Sequence, residues 1–87
     1  MDPPDPAPDV EQRVEAAERR DVMRRAIASL PPHHQLPLVL YELLGCSYEQ
    51  VAAITGTNIG TVKSRLNRAR LALKDALAPH LELLRGG

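Results

Sequence analysis

Residues 47–70, SYEQVAAITGTNIGTVKSRLNRAR, constrain the fold of this chain more than any other stretch. Ser47 is followed three residues later by Gln50, a capping-box pattern that predicts the start of a helix. Gly56 suits the positive φ angle of a tight turn, and Asn58 is a favoured N-cap for the helix that follows. The stretch therefore predicts two helices joined by a short glycine-bearing turn, which is the helix-turn-helix motif.

The second helix of this motif is predicted to run from about Ile59 to Ala78, just before Pro79. Its apolar residues recur at intervals of three and four, which places them on one buried face. They are Val62, Leu66, Ala69, Leu73 and Leu77.

Two further helices are predicted upstream. The first runs from about Val10 to Leu30 and is only partly buried, because charged residues surround a weak apolar stripe that is strongest at Val22, Ala26 and Leu30. The second runs from Pro32 to about Leu44, stops at Gly45, and is bent or delayed by the internal Pro37. We expect these residues to face the core: Leu36, Val39, Leu40, Leu43 and Leu44 from the second helix, and Val51, Ala52 and Ile54 from the next.

Composition supports an all-α fold. Hydrophobic residues make up 44% of the 87 residues, but the chain has no Trp or Phe, so the core must be aliphatic. Residues 1–9 are rich in proline and predict a flexible linker, with Asp9 as an N-cap. Residues 10–87 then form one domain, a small bundle of about four helices containing a helix-turn-helix without a wing. With one Cys and no long apolar run, we expect a cytoplasmic protein without a membrane span.

The zero net charge hides an asymmetry along the chain. Residues 56–87 carry six Lys and Arg against two acidic residues, a charge of +4, and residues 1–55 carry the opposite charge. A basic helix in an otherwise neutral chain favours a localised contact with a polyanion.

The predicted contact face is a set of polar residues opposite the apolar stripe. Thr61, Ser64, Arg65 and Arg68 follow helical spacing and share one side of the helix. Arg can bind guanine, Asn can bind adenine, and Ser and Thr can reach phosphates or base edges in the major groove. The candidate DNA-binding residues are Asn58, Thr61, Lys63, Ser64, Arg65, Asn67, Arg68 and Arg70.

Other interpretations of the sequence remain open. The basic face could be an ordinary solvated surface, the domain could be a protein-interaction module, or it could be a dimeric helix-turn-helix regulator. Tyr41 and Tyr48 are expected at the edge of the core. His33, His34, His80 and Cys46 lack the spacing of a metal or catalytic site, so we expect neither an enzyme nor a cofactor.

The segment from Leu30 to about Leu77 resembles region 4 of bacterial sigma factors, specifically the extracytoplasmic-function group. The resemblance rests on the Leu30-Pro31 start, on GCSYEQVA, and above all on GTVKSRLNRAR at residues 60–70. It implies a domain that recognises the −35 element of double-stranded promoter DNA while docked on the β-subunit flap of RNA polymerase. It also implies regulation by an anti-sigma factor, and we expect a monomer. The DNA-facing positions carried over are Thr61, Lys63, Ser64, Arg65 and Arg68.

The sequence departs from the family pattern in three respects. Cys46 replaces the usual aliphatic residue, and Asn58-Ile59 replaces a turn that often holds Ser or Pro with Val. A region-2 domain, which melts the −10 element in full-length members, is not present in these 87 residues. The resemblance therefore implies an excised domain or a truncated relative.

Overall fold

The computed structural model of the protein describes residues 10–85, and every regular element in that range is helical. The elements are α1 (Val10–Ala28), α2 (Pro32–Leu38), a π-helical turn (Val39–Leu43), α3 (Tyr48–Thr55), α4 (Ile59–Leu77), a 3₁₀ turn (Ala78–His80) and α5 (Leu81–Arg85). The predicted all-α fold is confirmed. The predicted linker and its N-cap, Asp9, lie outside the described residues.

The core is aliphatic, as the composition predicted, and α4 supplies its centre. Val62, Leu66 and Ala69 of α4 are at most 1% exposed. They pack with buried residues from each of the other three main segments, namely Leu30, Leu38, Leu40, Val51 and Ala52. Leu73 and Leu77, further along α4, are only partly buried.

The second predicted helix is irregular in its second half. The α-helix continues through Pro37, which is buried, and the bond pattern changes only afterwards. The Leu44 amide donates to the Val39 carbonyl at 3.1 Å, a bond that spans five residues and marks the π-helical turn. Gly45 then ends the segment with a φ of 73°.

This geometry overturns part of the predicted core. Leu36, Leu43 and Leu44 are 47%, 62% and 67% exposed, whereas Leu38 and Leu40 are buried. Leu36 lies about 200° around the helix from Leu38, so the two cannot share the inward face. The wider π turn rotates Leu43 and Leu44 away from the positions that regular α-helical spacing gives them.

Ile54 was also predicted inward, but it is 57% exposed. The inward face of α3 consists of Tyr48, Val51, Ala52 and Thr55, which follow each other at helical spacing, and Ile54 falls beside that face. The helix is only eight residues long and buries a narrow stripe.

As predicted, α1 is partly buried and packs mainly through its C-terminal half. Ala26 and Leu30 are buried, whereas Val10 and Val14 are 73% and 49% exposed. The short α5 packs against α1 and leaves Leu81 43% exposed.

Candidate nucleic-acid interface

The first helix of the motif, α3, begins with the predicted capping box. The Gln50 amide donates to Ser47 Oγ at 3.1 Å, and the Ser47 amide donates to Gln50 Oε1 at 2.8 Å. Each side chain thereby satisfies an amide that the helix itself cannot pair. The start of α3 is thus fixed by residues within the motif.

The turn that follows is closed by backbone geometry and by hydroxyl groups. Gly56 has a φ of 67°, the left-handed conformation that glycine adopts without a steric cost. The Thr57 amide donates to the Ala52 carbonyl at 3.0 Å, and the hydroxyls of Thr55 and Thr57 lie 2.9 Å apart. These bonds set the direction in which α4 leaves the turn.

Asn58 caps α4, as predicted. Its Oδ1 atom accepts the Thr61 amide at 2.7 Å. A Cβ atom placed on Gly60 would come within 3.3 Å of the same oxygen, so the glycine leaves room for the cap. The side-chain oxygen of Asn58 is therefore engaged with α4, and its NH₂ group is available to a ligand.

The polar residues of α4 lie away from its buried stripe. Lys63, Ser64, Asn67 and Arg68 are exposed, and Thr61 and Arg65 are half-buried along the edges of the same surface. The helix thus has one aliphatic side in the core and one side of hydrogen-bonding and cationic groups in solvent. A helix of this kind can enter the major groove with its polar side towards the bases.

Two tyrosines form a stack beside this surface, a contact that the sequence did not predict. The rings of Tyr41 and Tyr48 are parallel within 2°, with their centroids 4.8 Å apart. Lys63 Nζ lies 5.4 Å from the centroid of the Tyr48 ring, and Arg70 Cζ lies 5.6 Å from that of Tyr41. Interaction with the Tyr48 hydroxyl is the main cause that raises the pKa of Tyr41 above its ordinary value. The sequence offered only the seven-residue spacing of two tyrosines across a turn, which does not predict contact.

Arg70 also has a carboxylate partner. Its Nε atom donates to Glu42 Oε1 at 2.8 Å, and its Nη2 atom contacts the same oxygen. Hydrogen bonding to this carboxylate is the main cause that raises the pKa of Arg70. Arg70 is therefore tied to the π-helical turn, unlike the other predicted contact residues.

The start of α2 brings a pair of histidines towards the same side of the molecule. The rings of His33 and His34 have centroids 4.2 Å apart. Burial, followed by the positive charges of His33, Arg68 and Arg65, lowers the pKa of His34. His34 is therefore neutral at pH 7 and borders the cationic face, a placement that the sequence did not predict.

Within the part of the chain that the structure describes, no three His, Cys, Asp or Glu residues form a group suited to a metal ion. Cys46 is half-buried against the core, in keeping with an aliphatic-like role. None of the helices between residues 10 and 85 combines the length and apolar character that a membrane span requires.

The family model of sigma-70 region 4 matches residues 20–73, which include α2, the π-helical turn, α3 and most of α4. The chain belongs to the sigma-70 region 4 family. The resemblance noted from the sequence is confirmed, because the match covers the whole helix-turn-helix and more than half of the chain.

The similar curated proteins are sigma factors of the extracytoplasmic-function (ECF) group. The chain is 43% identical over 58 residues to the ECF RNA polymerase sigma factor SigE of Mycolicibacterium smegmatis, covering 67% of this chain and 23% of the relative. It is 44% identical over 62 residues to the ECF RNA polymerase sigma-E factors of Salmonella typhimurium and Escherichia coli, covering 71% of this chain and 32% of each relative. The chain thus spans a third or less of the length of these curated relatives.

Proposed function

We propose that this domain recognises the −35 element of promoter DNA as region 4 of an extracytoplasmic-function sigma factor and thereby directs RNA polymerase in transcription initiation. The observation that carries the proposal is the exposed polar side of α4, presented behind a turn whose caps and glycine fix its direction. Such a domain acts by binding rather than by catalysis, and it works in the bacterial cytoplasm, at the nucleoid.

The polar residues of α4 differ in their proposed roles. Arg65 and Arg68 contact bases or the adjacent backbone, because a guanidinium can donate two hydrogen bonds to guanine. Lys63 contacts a phosphate. Supporting contacts come from Asn58, Thr61, Ser64 and Asn67. The proposal departs from the sequence prediction at Arg70, which the Glu42 carboxylate already engages.

Fluorescence anisotropy tests the DNA-binding proposal directly. A labelled duplex carrying a −35 region is compared with a scrambled duplex at two salt concentrations. We expect Arg68→Ala to weaken binding to the promoter duplex by about 1–3 kcal/mol and to reduce the preference for it. Lys74→Ala, an exposed change in the last turn of the same helix, is the control. An equal loss on both duplexes would show that Arg68 contacts phosphate only, and wild-type binding without preference would contradict promoter recognition.

A second proposed role, docking on RNA polymerase, rests on the exposed apolar side of α2 and the π-helical turn. Leu43 and Leu44 are more than 60% exposed, and Leu36 is 47% exposed. A groove of about 380 Å³ between α1 and Leu43, lined by Met23, Ile27 and aliphatic parts of neighbouring side chains, continues this surface. Grouped exposed apolar side chains are typical of protein-interaction sites.

We propose that this apolar surface receives the β-subunit flap of polymerase, and that an anti-sigma factor competes for the domain. Leu43→Gln should weaken capture of purified polymerase core while leaving duplex binding intact, because Leu43 makes no contribution to the polar side of α4. Unchanged capture would remove this surface from the proposal. We further propose that the free domain is a monomer, which sedimentation of the chain checks.

A further inference from the structure

Two cations of α4, Lys63 and Arg70, have matching positions on the tyrosine stack. They lie two helical turns apart, so they share one side of α4. Lys63 Nζ is 5.4 Å from the ring centroid of Tyr48, and Arg70 Cζ is 5.6 Å from that of Tyr41. The two side chains thus have the same helix, the same side and the same kind of aromatic neighbour.

The two cations differ in their acidic neighbours. Arg70 donates to Glu42 Oε1 through Nε at 2.8 Å and also contacts it through Nη2. Among residues 10–85, by contrast, no carboxylate lies in an ion pair with Lys63. The Glu42 and Arg70 side chains are 40% and 49% exposed, so the pair lies at the surface.

A guanidinium held in this way cannot bind a DNA phosphate at full strength. Its Nε–H and one Nη–H already point at a carboxylate, and the ring of Tyr41 covers one side. A phosphate that binds Nε and Nη2 together displaces those contacts and leaves Glu42 as an unpaired anion beside a polyanion. A phosphate bound by the remaining N–H groups lies close to the Glu42 carboxylate and is repelled by it. A surface ion pair contributes little to stability, because water solvates both separated charges well. Here, however, two anions, the Glu42 carboxylate and a DNA phosphate, compete for the same Arg70 guanidinium.

We propose that Glu42 withholds Arg70 from the DNA backbone, so that α4 neutralises one phosphate fewer than its cations would allow. Glu42 is then a positioning residue that lowers affinity for all duplexes and leaves sequence preference to the rest of α4. This inference rests on the proposed DNA-binding function. The Glu42–Arg70 ion pair and the adjacent tyrosine stack thus limit a phosphate contact by Arg70 that the sequence alone predicts.

The test is the salt dependence of duplex binding by the Glu42→Gln variant, followed by anisotropy between 0.1 and 1 M salt. Each phosphate neutralised contributes about 0.9 to the slope of log K against log salt. Freeing Arg70 should therefore steepen the slope by about 0.9, which tightens binding roughly eightfold at 0.1 M salt relative to 1 M. The promoter and scrambled duplexes should gain equally.

The matched cations provide the controls. Lys63→Gln in the wild-type background should make the slope shallower by about 0.9, whereas Arg70→Gln should leave it nearly unchanged. In the Arg70→Gln background, Glu42→Gln should have no effect on the slope. Circular dichroism melting of each variant establishes that the compared proteins are folded, and Glu42→Ala repeats the test with a second side chain.

Three outcomes would overturn the inference. Binding that weakens or stays the same in Glu42→Gln would show that the carboxylate does not withhold Arg70. Tightening of equal size with and without Arg70 would show that Glu42 acts only by repelling DNA. A loss of slope in Arg70→Gln equal to that in Lys63→Gln would show that Arg70 reaches phosphate despite its partner. Absence of duplex binding by the wild-type domain would contradict the proposed function itself.

Discussion

Two helical segments build most of the core. One is α4, the other is α2 together with the π-helical turn, and they differ in how many of their leucines are buried. In α4, Leu66 and its apolar neighbours at helical spacing are buried along one stripe. In the other segment, Leu38 and Leu40 are buried while Leu36, Leu43 and Leu44 face solvent. A capped, regular helix holds one side against its neighbours over its length, whereas a π turn changes the rotation partway and divides the apolar residues between two surfaces.

The division has a functional counterpart. The regular helix buries the centre of its apolar stripe and presents on the opposite side the polar surface that we propose contacts DNA. The irregular segment packs with part of its apolar set, and the exposed remainder is the surface that we propose docks a partner. It also brings Tyr41 and Glu42 to the side of α4, where they contact Arg70.

The largest effect that can test this comparison is on stability. Leu66→Ala should lower the free energy of unfolding by about 2–5 kcal/mol, because the side chain is 1% exposed and its removal leaves a cavity. Leu43→Ala should cost less than about 0.5 kcal/mol, because that side chain is 62% exposed. Urea denaturation measures both. A similar loss for the two variants would show that Leu43 is buried in solution and that the π turn is not maintained.

The glycines that end α3 and the π-helical turn give the next comparison. Gly56→Ala and Gly45→Ala should each cost about 1–2 kcal/mol, since both residues have a φ near 70° and neither would place a Cβ within 4 Å of another group. The cost is therefore conformational rather than steric. Thermal melting of the two variants measures this loss of stability. Ala53→Gly, at an exposed position of α3, is the control that shows the effect of helix propensity alone. A much smaller loss at Gly45 would indicate that the irregular segment adjusts its backbone more easily than the turn between α3 and α4.

The smallest predicted effect concerns the pH dependence of stability through His34. Its pKa is lowered in the folded protein, mainly by burial and then by His33, Arg68 and Arg65. A lowered folded pKa means that the unfolded chain binds the proton first, so this stabilisation is full above the ordinary value of 6.5 and is lost as pH falls through the folded pKa. The melting temperature of His34→Gln should therefore fall less between pH 7 and pH 5 than that of the wild type.

His33→Gln provides the matched control for that prediction. His33 is exposed, and it is the ring next to His34 on the same helix. Replacing it should retain most of the acid sensitivity, because burial is the first cause of the His34 shift. Identical pH dependence in the wild type and His34→Gln would exclude this residue as a source of the acid sensitivity.

Much of the fold follows from local signals, and the candidate site follows from the same signals. The cap of α3 at Ser47, the turn at Gly56 and the cap of α4 at Asn58 are all where the sequence predicted them. The helical spacing of α4 correctly separated its buried stripe at Val62, Leu66 and Ala69 from its polar side. Contact of that polar side with DNA remains a prediction.

The sequence did not predict features in which a residue's surroundings depend on distant parts of the chain. The spacing of Leu36, Leu43 and Leu44 gave no sign of the π turn, in which the Leu44 amide bonds to the Val39 carbonyl five residues back. The ion pair between Glu42 and Arg70 joins residues 28 positions apart, which no local pattern can register.

The helices of the motif, the turn between them and the polar side of α4 follow from the amino-acid sequence, because caps, glycine angles and helical spacing act within a few residues. The burial of individual leucines in the preceding segment, the stacking of the two tyrosines and the engagement of Arg70 instead depend on how the helices pack together. Those features require side chains from separate segments to meet, and the packing of the whole bundle sets those distances.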